Sequence, residues 1–435
     1  MAVSGRLVLL AAVGAAAVGA AAVVLFPGTG TILLWLGLLT AAAALDLALA
    51  ASPLRARLER QLPESARFGE EIPAPLVVRN GSGRTMHALI RDAWQPSAGQ
   101  GNPVRRLTVP PGEARLAAGT LRPERRGELR TAHVTLRSFG PLGIAARQRT
   151  IPYPGSLRVL PPFRSKRHLP AKLRRLRELD GNASVQLRGA GTEFDSLRDY
   201  VRGDDVRSID WRATARRQET VVRTWRPERD RRVILCLDTA RTSAARILDE
   251  PRLDTGIEAA LLLGMLAHGG GDRVDFLAFD RRVRARVASA AKGNLLPRLA
   301  SAMAPLEAEL IEADFSLLPG VVQSVSSRRS LVVLITSLDA GAVEEGLLPV
   351  LPALLAKHVV VIASVRDPAL DELRSARGSA ADVFRAAAAE RALLDRAAVT
   401  AQLKSMGAEV VDETPYELPP KLADMYIRLK ASGRL

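Results

Sequence analysis

The sequence has few of the residues on which disulfide frameworks, metal sites and common hydrolytic sites depend. It holds one cysteine and five histidines in 435 residues. A single cysteine excludes an intramolecular disulfide and a multi-cysteine metal site. The histidines are scattered, and neither a G-x-S-x-G elbow nor a phosphate-binding P-loop occurs. Cys236 lies in the apolar run 233–237, so we expect a small buried hydrophobe, in agreement with a reducing compartment.

Charge is nearly absent from two stretches near the N-terminus, residues 7–26 and 31–51, in which Asp46 is the only charged side chain. Each has about the 20 residues that a helix needs to cross a bilayer. Small residues such as Gly14 would let two such helices approach closely. We therefore predict a transmembrane hairpin over residues 1–52. A cleaved signal peptide is the alternative for the first stretch, and the second stretch directly after it argues against that alternative.

The distribution of basic residues around these two stretches predicts the orientation of the hairpin. Arg6 precedes the first stretch, the connecting turn has no Lys or Arg, and several arginines, including Arg55, Arg57 and Arg60, follow the second. Under the positive-inside rule both ends of the hairpin face the cytoplasm. The sequence thus predicts a multi-pass protein of the cell membrane, with the bulk of the chain cytoplasmic.

Basic residues outnumber acidic ones, 62 to 46, which gives a net charge of +16. Such a balance indicates anionic partners, either lipid headgroups or nucleic acid. The charges are dense in a predicted basic helical linker, residues 162–190. It could be a solvated face, an anionic-lipid surface or a nucleic-acid surface. Since no aromatic residue interleaves its charges and no zinc or helix-turn-helix spacing occurs, nucleic acid is the least favoured partner.

Residues 68–161 have the pattern of a small all-β domain. Short apolar–polar runs alternate with Gly- and Pro-containing turn clusters such as 80–83 and 110–112. This spacing predicts a small antiparallel sandwich. No catalytic constellation occurs in it, because His87 and His133 are isolated.

Residues 191–232, the signature segment, place many charges of both signs around Tyr200, Trp211 and Trp225. Alternating signs favour charge-assisted Arg–carboxylate pairs, often bidentate. The segment could be a structural ion-pair network or a surface that receives a partner. The candidate partner-binding residues are Glu193, Arg198, Tyr200, Gly203, Asp204, Asp205, Arg207, Asp210, Trp211, Arg216, Trp225 and Glu228.

The signature segment resembles that of the bacterial "domain of unknown function 58" family of membrane proteins. The family block reads roughly G-x-E-F-x-x-L-R-x-Y-x-x-G-D-D-x-R-x-I-D-W-x-A-x-A-R, with a V-x-x-W-x-x-E-R tail. The matching positions are Gly191, Glu193, Phe194, Leu197, Arg198, Tyr200, Gly203, Asp204, Asp205, Arg207, Ile209, Asp210, Trp211, Ala213, Ala215, Arg216, Val222, Trp225, Glu228 and Arg229. Upstream, residues 139–143 resemble the family's D-P-[FL]-G-L element, with Gly140 where the acid usually stands. The resemblance implies association with MoxR-type AAA+ ATPases.

Residues 233–435 alternate strand-like and helix-like segments, which predicts a mostly parallel, doubly wound sheet. Their order resembles a von Willebrand factor A domain, a fold that commonly binds a divalent metal through D-x-S-x-S. Asp238 and Thr242 fit that motif, whereas Ala240 lacks the hydroxyl and Ser337 stands where a later Asp is usual. We expect a retained scaffold without a cofactor, and magnesium at a degenerate site is the alternative.

Together these features predict a membrane-anchored adaptor rather than an enzyme. The family resemblance adds assembly or maturation of membrane or envelope components as the process. One alternative is an enzyme that uses Asp204, Asp205 and Asp210, although the surrounding arginines would hold these acids ionised. The other is a protein that binds nucleic acid through its excess positive charge.

Overall fold

The chain forms two compact units, Met1–Leu160 and Pro161–Leu435. They are described from a computed structural model, which covers residues 2–24, 29–186, 193–226, 231–289 and 294–435.

Two apolar helices, α1 (Gly5–Val24) and α2 (Thr29–Leu49), begin the first unit. They pack closely at Gly14, where an added Cβ would lie 1.9 Å from Cζ2 of Trp35. Glycine at this position therefore admits the indole ring, as the small-residue pattern predicted. Gly19 has no such neighbour among the described atoms.

Within the described residues, one helical stretch is long and apolar enough to cross a membrane. It runs from Gly30 to Arg55 and combines α2 with the 3₁₀ turn Pro53–Arg55. The apolar part of α1, Gly5–Ala20, is shorter. An apolar helix near the N-terminus is therefore confirmed, whereas a second span stays a prediction.

The rest of the first unit is β-rich, as predicted. Its strands are β1 (Ala2–Val3), β2 (Ala56–Arg60), β3 (Ser65–Arg67), β4 (Ile72–Pro73), β5 (Leu76–Asn80), β6 (Met86–Trp94), β7 (Val104–Val109), β8 (Ala114–Ala117), β9 (Thr120–Leu121), β10 (Gly127–Phe139) and β11 (Ala145–Leu160). One sheet has the order β1-β11-β10-β6-β7, with β3 beside β11, and a second has the order β2-β5-β8. Both sheets contribute to one core: Leu76 and Val78 of β5 pack with Met86, Ile90 and Val134.

After β1, the strands begin at Ala56, earlier than the predicted boundary at residue 68. The alternation of β2 was hidden because its inward-facing positions include Arg60, whose side chain is 4% exposed. A charged residue at a buried position breaks the apolar period on which sequence assignment rests.

The second unit is α/β, as predicted. Its strands are β12 (Glu193–Asp199), β13 (Val221–Arg226), β14 (Arg232–Asp238), β15 (Arg246–Ile247), β16 (Glu250–Pro251), β17 (Arg273–Phe279), β18 (Val283–Val287), β19 (Leu331–Ile335), β20 (Val359–Val365) and β21 (Glu409–Glu413). Its helices are α3 (Leu169–Gln186), α4 (Trp211–Arg217), α5 (Arg252–Gly269), α6 (Leu295–Met303), α7 (Leu317–Val325), α8 (Ala340–Ala342), α9 (Leu351–Leu355), α10 (Ala369–Ser375), α11 (Ala380–Ser405) and α12 (Leu418–Ala431).

The main sheet has the order β18-β17-β14-β19-β20-β21, and only its edge strand β18 runs antiparallel to its neighbour. Alternate residues of β14 face opposite layers: Leu235 packs with α5 and α12, and Cys236 with α7, α9 and α11. From β14 the chain continues to β17 on one side of the sheet and later to β19 on the other side. A topological switch point therefore lies at the carboxyl ends of β14 and β19. Ligands of doubly wound sheets bind at such points.

Cys236 lies at the centre of this sheet and is fully buried. Burial raises the pKa of its thiol to about 12. The expectation of a small buried hydrophobe is therefore confirmed.

Candidate functional site

The signature segment forms an antiparallel hairpin of β12 and β13, in which Asp199 pairs with Val221. Between the two strands lie the 3₁₀ turn Val206–Ser208 and the short helix α4. Gly203 has φ +114° in the first turn, a backbone conformation that residues with a Cβ rarely adopt. Val221 and Val222 are buried, whereas most residues of the connecting loop and of α4 are exposed.

Asp204 closes the first turn of the hairpin. Its carboxylate accepts two hydrogen bonds from Arg198, at 2.8 and 2.6 Å, and one from the backbone N–H of Val201 at 2.9 Å. The hydrogen bonds from Arg198 are the main reason why the pKa of Asp204 lies below its usual value, with that from Val201 next. The predicted bidentate pair is present, and it fixes the loop.

Asp210 is the N-cap of α4. One carboxylate oxygen accepts from the backbone N–H groups of Arg212 and Ala213, each at 3.0 Å, and the other accepts from Nε of Arg223 at 2.8 Å. The Ala213 hydrogen bond first, and then Arg223, lower the pKa of Asp210. Asp205 caps the preceding 3₁₀ turn through the backbone N–H of Arg207 at 3.0 Å. All three acids therefore hold the backbone in place.

This arrangement does not resemble a general acid–base pair. Such a pair needs one carboxyl group whose pKa is raised so that it can donate a proton. Here hydrogen bonds and arginines lower the pKa values of both Asp204 and Asp210.

The loop and the helix that these acids hold carry exposed apolar and basic side chains. Trp211 is 70% exposed, and Val201 and Val206 are 61% and 62% exposed. Arg207, which follows Val206, and Arg216 of α4 are also exposed. We call these five residues the docking face. A large exposed aromatic within a fixed framework is typical of an interaction surface.

For the remaining predicted signature residues, the structure gives a backbone contact or a strand position. Tyr200 is half-buried, and its backbone N–H donates to the carbonyl of Thr220 at 2.8 Å. Glu193 and Trp225 lie on the paired strands, opposite Arg226 and Phe194. Glu228 lies outside the described residues, as do Gly191 and Arg229. Sequence reasoning did not single out Arg223, since only the hairpin register brings it to Asp210.

Several residues of the predicted basic linker make contacts within the second unit. Leu173 and Leu176 of α3 pack against the core. Lys172 lies 2.5 Å and Arg175 3.5 Å from Asp424 of α12. Arg174 and Arg177 are exposed. The helix is thus a docked element, which leaves less free positive charge for lipid or nucleic acid than the sequence suggested.

The second candidate site lies at the carboxyl ends of β14 and β19. Asp238 is 1% exposed. Its Oδ1 accepts from the backbone N–H of Ala240 at 2.8 Å, and its Oδ2 accepts from Oγ1 of Thr336 at 2.6 Å. The Ser243 hydroxyl donates to the Asp238 carbonyl at 2.8 Å. Thr336 and Ser243, rather than the predicted Thr242, therefore surround Asp238.

Thr242 contributes its backbone, because its carbonyl accepts from Nη1 of Arg252 at 2.8 Å. Ser337 donates to Oδ2 of Asp339 at 2.9 Å. Asp339 lies 3.9 Å from Nη1 of Arg252. Arg252 was not singled out from the sequence, since nothing there marks the first residue of α5 as part of a site at the end of β14.

The donor set at this edge differs from that of a D-x-S-x-S metal site. Magnesium and calcium need several oxygen ligands, and each carboxylate oxygen of Asp238 already accepts one hydrogen bond. Ala240 offers no hydroxyl. In the part of the chain that the structure describes, no group of three His, Cys, Asp or Glu side chains could hold a metal ion.

Replacing Asp238 with asparagine is expected to change the pH dependence of stability. Burial raises the pKa of Asp238, and the Thr336 and Ala240 hydrogen bonds only partly oppose it. The folded state therefore keeps this proton to a higher pH than the unfolded state, and wild-type stability falls as pH rises between the two pKa values. The asparagine of Asp238→Asn does not titrate. The free energy of unfolding in urea of this variant, relative to that of the wild type, should therefore rise from about pH 4 upward. A stability difference that is constant with pH would contradict this.

Asp238→Ala is the control for the hydrogen bonds. It removes the acceptor of the Ala240 N–H and the Thr336 hydroxyl. Each unpaired buried donor costs about 1–3 kcal/mol, so this variant should be less stable than Asp238→Asn at every pH.

One comparison with known proteins matches a region within the second unit. Residues 196–402 match the family described as "Protein of unknown function DUF58". The predicted resemblance is thereby confirmed for this region. The von Willebrand factor A and MoxR associations stay predictions.

Two mycobacterial proteins are similar to this chain: "Uncharacterized protein Rv1480" of Mycobacterium tuberculosis (strain ATCC 25618 / H37Rv) and "Uncharacterized protein Mb1516" of Mycobacterium bovis. Each is 28% identical over 194 residues, which is 44% of this chain and 60% of the relative. The chain thus spans about 60% of the length of these curated relatives.

Among solved structures, the CARDB domain of PF1109 from Pyrococcus furiosus is 12% identical, with a TM-score of 0.19, and covers 26% of this chain and 92% of its own. A fragment of Escherichia coli alpha-2-macroglobulin is 13% identical, with a TM-score of 0.21, and covers 26% of this chain and 18% of its own. Likeness at this level establishes neither fold nor function.

Proposed function

We propose that the protein is a membrane-anchored adaptor whose docking face binds a protein partner at the cytoplasmic surface. The observation that carries this proposal is the exposure of Trp211 on a hairpin that Asp204 and Asp210 hold in place. A fixed framework reduces the entropy lost on binding, and tryptophan and arginine are the residues that most often dominate interface energies.

The partner class that we propose is a MoxR-type AAA+ ATPase, in assembly or maturation of membrane or envelope components. Support comes from the family resemblance of the signature segment. The main sheet supports the proposed von Willebrand factor A-like architecture, because a six-stranded doubly wound sheet with one antiparallel edge strand agrees with it. In this proposal the second unit carries the β12–β13 hairpin, and the apolar helices α1 and α2 anchor the protein to the membrane.

Substitution of the docking face tests the proposal. Trp211→Ala should lower capture of the cognate ATPase by the detergent-solubilised protein at least about tenfold, because an interface aromatic of this kind contributes about 2 kcal/mol or more. Arg207→Ala should add to the loss. The matched control is Phe384→Ala on α11, since Phe384 is 77% exposed and lies outside the signature segment.

Two further experiments distinguish residues that contact the partner from residues that hold the β12–β13 hairpin in place. Crosslinking in cells from a photoreactive residue at position 211 should join the ATPase to this chain. Asp204→Ala should weaken capture together with protease resistance of residues 193–226, because its carboxylate holds the turn. Capture that survives Trp211→Ala and Arg207→Ala unchanged would rule out the docking face.

The anchor is proposed as a two-helix hairpin with both ends in the cytoplasm. α1 and α2 pack against each other at Gly14, and arginines follow α2. A C-terminal green fluorescent protein fusion should fluoresce in cells, and an alkaline phosphatase fusion at the same position should be inactive. The reverse result would contradict the orientation.

A further inference from the structure

The β10–β11 turn, residues 140–144, is attached to the ends of both apolar helices. Near the end of α2, Asp46 accepts a hydrogen bond from the backbone N–H of Leu142 at 2.8 Å. Directly before α1, Ala2 of β1 pairs with Ala146 at the start of β11. These two attachments come from different segments of the chain, so together they fix the height of the turn along the helices.

The turn lies at the same height as apolar side chains of α2 that point away from the protein. Asp46 lies between Leu45 and Leu49 in the helix, and both leucines are exposed. Three residues of helix rise about 4.5 Å, so the backbone of Leu142, bonded to Asp46, lies within about one helical turn of Leu49. Leu142 itself is 51% exposed. In a membrane that α2 crosses, an exposed leucine at this height meets the boundary between acyl chains and headgroups.

Three arginines lie around the same turn. Arg147 donates from Nε to the Leu47 carbonyl at 2.9 Å, and Arg84 donates from Nη1 to the carbonyl of the next residue of α2. Arg6, in the first turn of α1, reaches the turn itself, because a Cβ added at Gly143 would lie 3.0 Å from its Nη1. A guanidinium has five N–H donors, so Arg84 and Arg147 each use one donor on the helix and keep others for an anion.

We propose that this end of the first unit binds the headgroup layer of the bilayer. Leu142 enters the edge of the acyl chains, and Arg6, Arg84 and Arg147 bind the phosphates of anionic lipids. We call these four residues the lipid-contact face. This proposal rests on the membrane anchor proposed above, and it adds that the β-rich domain lies against the bilayer at a fixed height.

The continuity of the lipid-contact face with α2 identifies its occupant as lipid. Leu142 lies no further along α2 than the exposed Leu49, so a protein or a nucleic acid bound here would have to enter the acyl-chain boundary. Lipid phosphate is the anion that is present at this height. Arginines close to a bilayer attract anionic lipids.

Fluorescence quenching of the full chain in lipid vesicles tests the position of the turn. The one cysteine, Cys236, is fully buried, so Leu142→Cys supplies an accessible thiol for a fluorophore. Lipids with a nitroxide near the headgroup should quench a label at this position. The control is Ser156→Cys, an exposed position roughly 30 Å further along β11, where a label should not be quenched. A label at Leu38→Cys, near the middle of α2, should be quenched by nitroxides deep in the acyl chains.

The three labels distinguish failure of this proposal from failure of the anchor. Quenching at Leu38→Cys without quenching at Leu142→Cys would overturn the lipid-contact face and leave the anchor in place. Absence of quenching at both positions would overturn the anchor and this proposal together. Equal quenching at Leu142→Cys and Ser156→Cys would also overturn the proposal, because contact would then not be confined to this end of the unit.

The charge of the quenching lipid tests the arginines, with the label kept at position 142. Spin-labelled phosphatidylglycerol should quench at least about twofold more than spin-labelled phosphatidylcholine at the same mole fraction, because the arginines concentrate anionic lipid. Arg84→Gln combined with Arg147→Gln should bring this ratio close to one. Arg158→Gln, which removes an exposed arginine from the far part of β11, should leave the ratio unchanged.

Salt provides a second test of the arginines that needs no further substitution if the glutamine variant does not fold. At about 1 M salt the Debye length is about 3 Å, so the preference for phosphatidylglycerol should fall while quenching at position 142 persists. Equal quenching by the two lipids at low salt would overturn the proposal. So would a folded glutamine variant that keeps the full preference.

Discussion

Replacing Asp46 with alanine is expected to destabilise the first unit by about 3–5 kcal/mol, which is in the range that marks loss of a buried polar network. Asp46 is fully buried near the end of α2. Its carboxylate accepts three backbone N–H groups of the β10–β11 turn, from Leu142 at 2.8 Å, Ile144 at 2.8 Å and Ala145 at 2.9 Å. Alanine would leave three donors unpaired and release the helix from the sheet.

Pulse proteolysis in urea, scored on fragments from residues 56–160, measures this loss without assuming that both units unfold together. Thr40→Ala is the control on the same helix, because its hydroxyl donates to the Leu36 and Gly37 carbonyls within α2. Asp46→Asn keeps one acceptor oxygen and should lie between alanine and the wild type. A change below about 1 kcal/mol for Asp46→Ala would show that the carboxylate does not hold the turn.

Asp46 also explains the missing acid of the D-P-[FL]-G-L element. A Cβ on Gly140 would lie 2.1 Å from both the carbonyl oxygen and Oδ1 of Asp46. Asp46 leaves no room for an aspartate side chain at position 140. The Asp46 carboxylate of α2 hydrogen-bonds to the turn instead. Gly140→Asp should therefore be destabilising in the wild type and less so with Asp46→Ala, a coupling that a double-mutant cycle measures.

Replacing Arg60 with methionine is expected to cost about 3–5 kcal/mol in the same unit, because it leaves a buried carboxylate without its counter-charge. The Arg60 and Asp92 side chains are 4% and 3% exposed and lie 2.8 Å apart. Arg60 also donates to the carbonyl of Tyr153 at 3.1 Å and lies over the rings of Tyr153 and Trp94. Trp94 donates to Asp92 at 3.0 Å.

The same proteolysis assay measures this effect, with Arg130→Met as the matched control. Arg130 pairs with Glu128 at 2.7 Å, but their side chains are 68% and 41% exposed. Exposed pairs contribute about 0–1 kcal/mol. The double variant Arg60→Met with Asp92→Asn should recover much of the loss, because the amide still accepts from Trp94 and carries no charge. Equal losses for Arg60→Met and Arg130→Met would contradict a buried pair.

The sequence alone determined the features that follow from local pattern. Apolar runs predicted the helix near the N-terminus, and alternating segments predicted the α/β unit, because burial of strands and helices imposes a period on the chain. The signature segment predicted Arg–carboxylate pairing, and Arg198 does pair with Asp204 six residues later. A turn joins these two residues, so their proximity is readable from spacing.

Only the tertiary structure decided which charged residues are buried. Arg60, Asp46 and Arg252 look like surface or membrane-flanking charges in the sequence, yet each lies where distant segments meet. Their partners are 32, about 96 to 99, and 87 residues away, so only strand register and helix packing bring them together. Burial of a charge costs free energy unless a partner is present. The position of each partner belongs to the fold and leaves no trace in local composition.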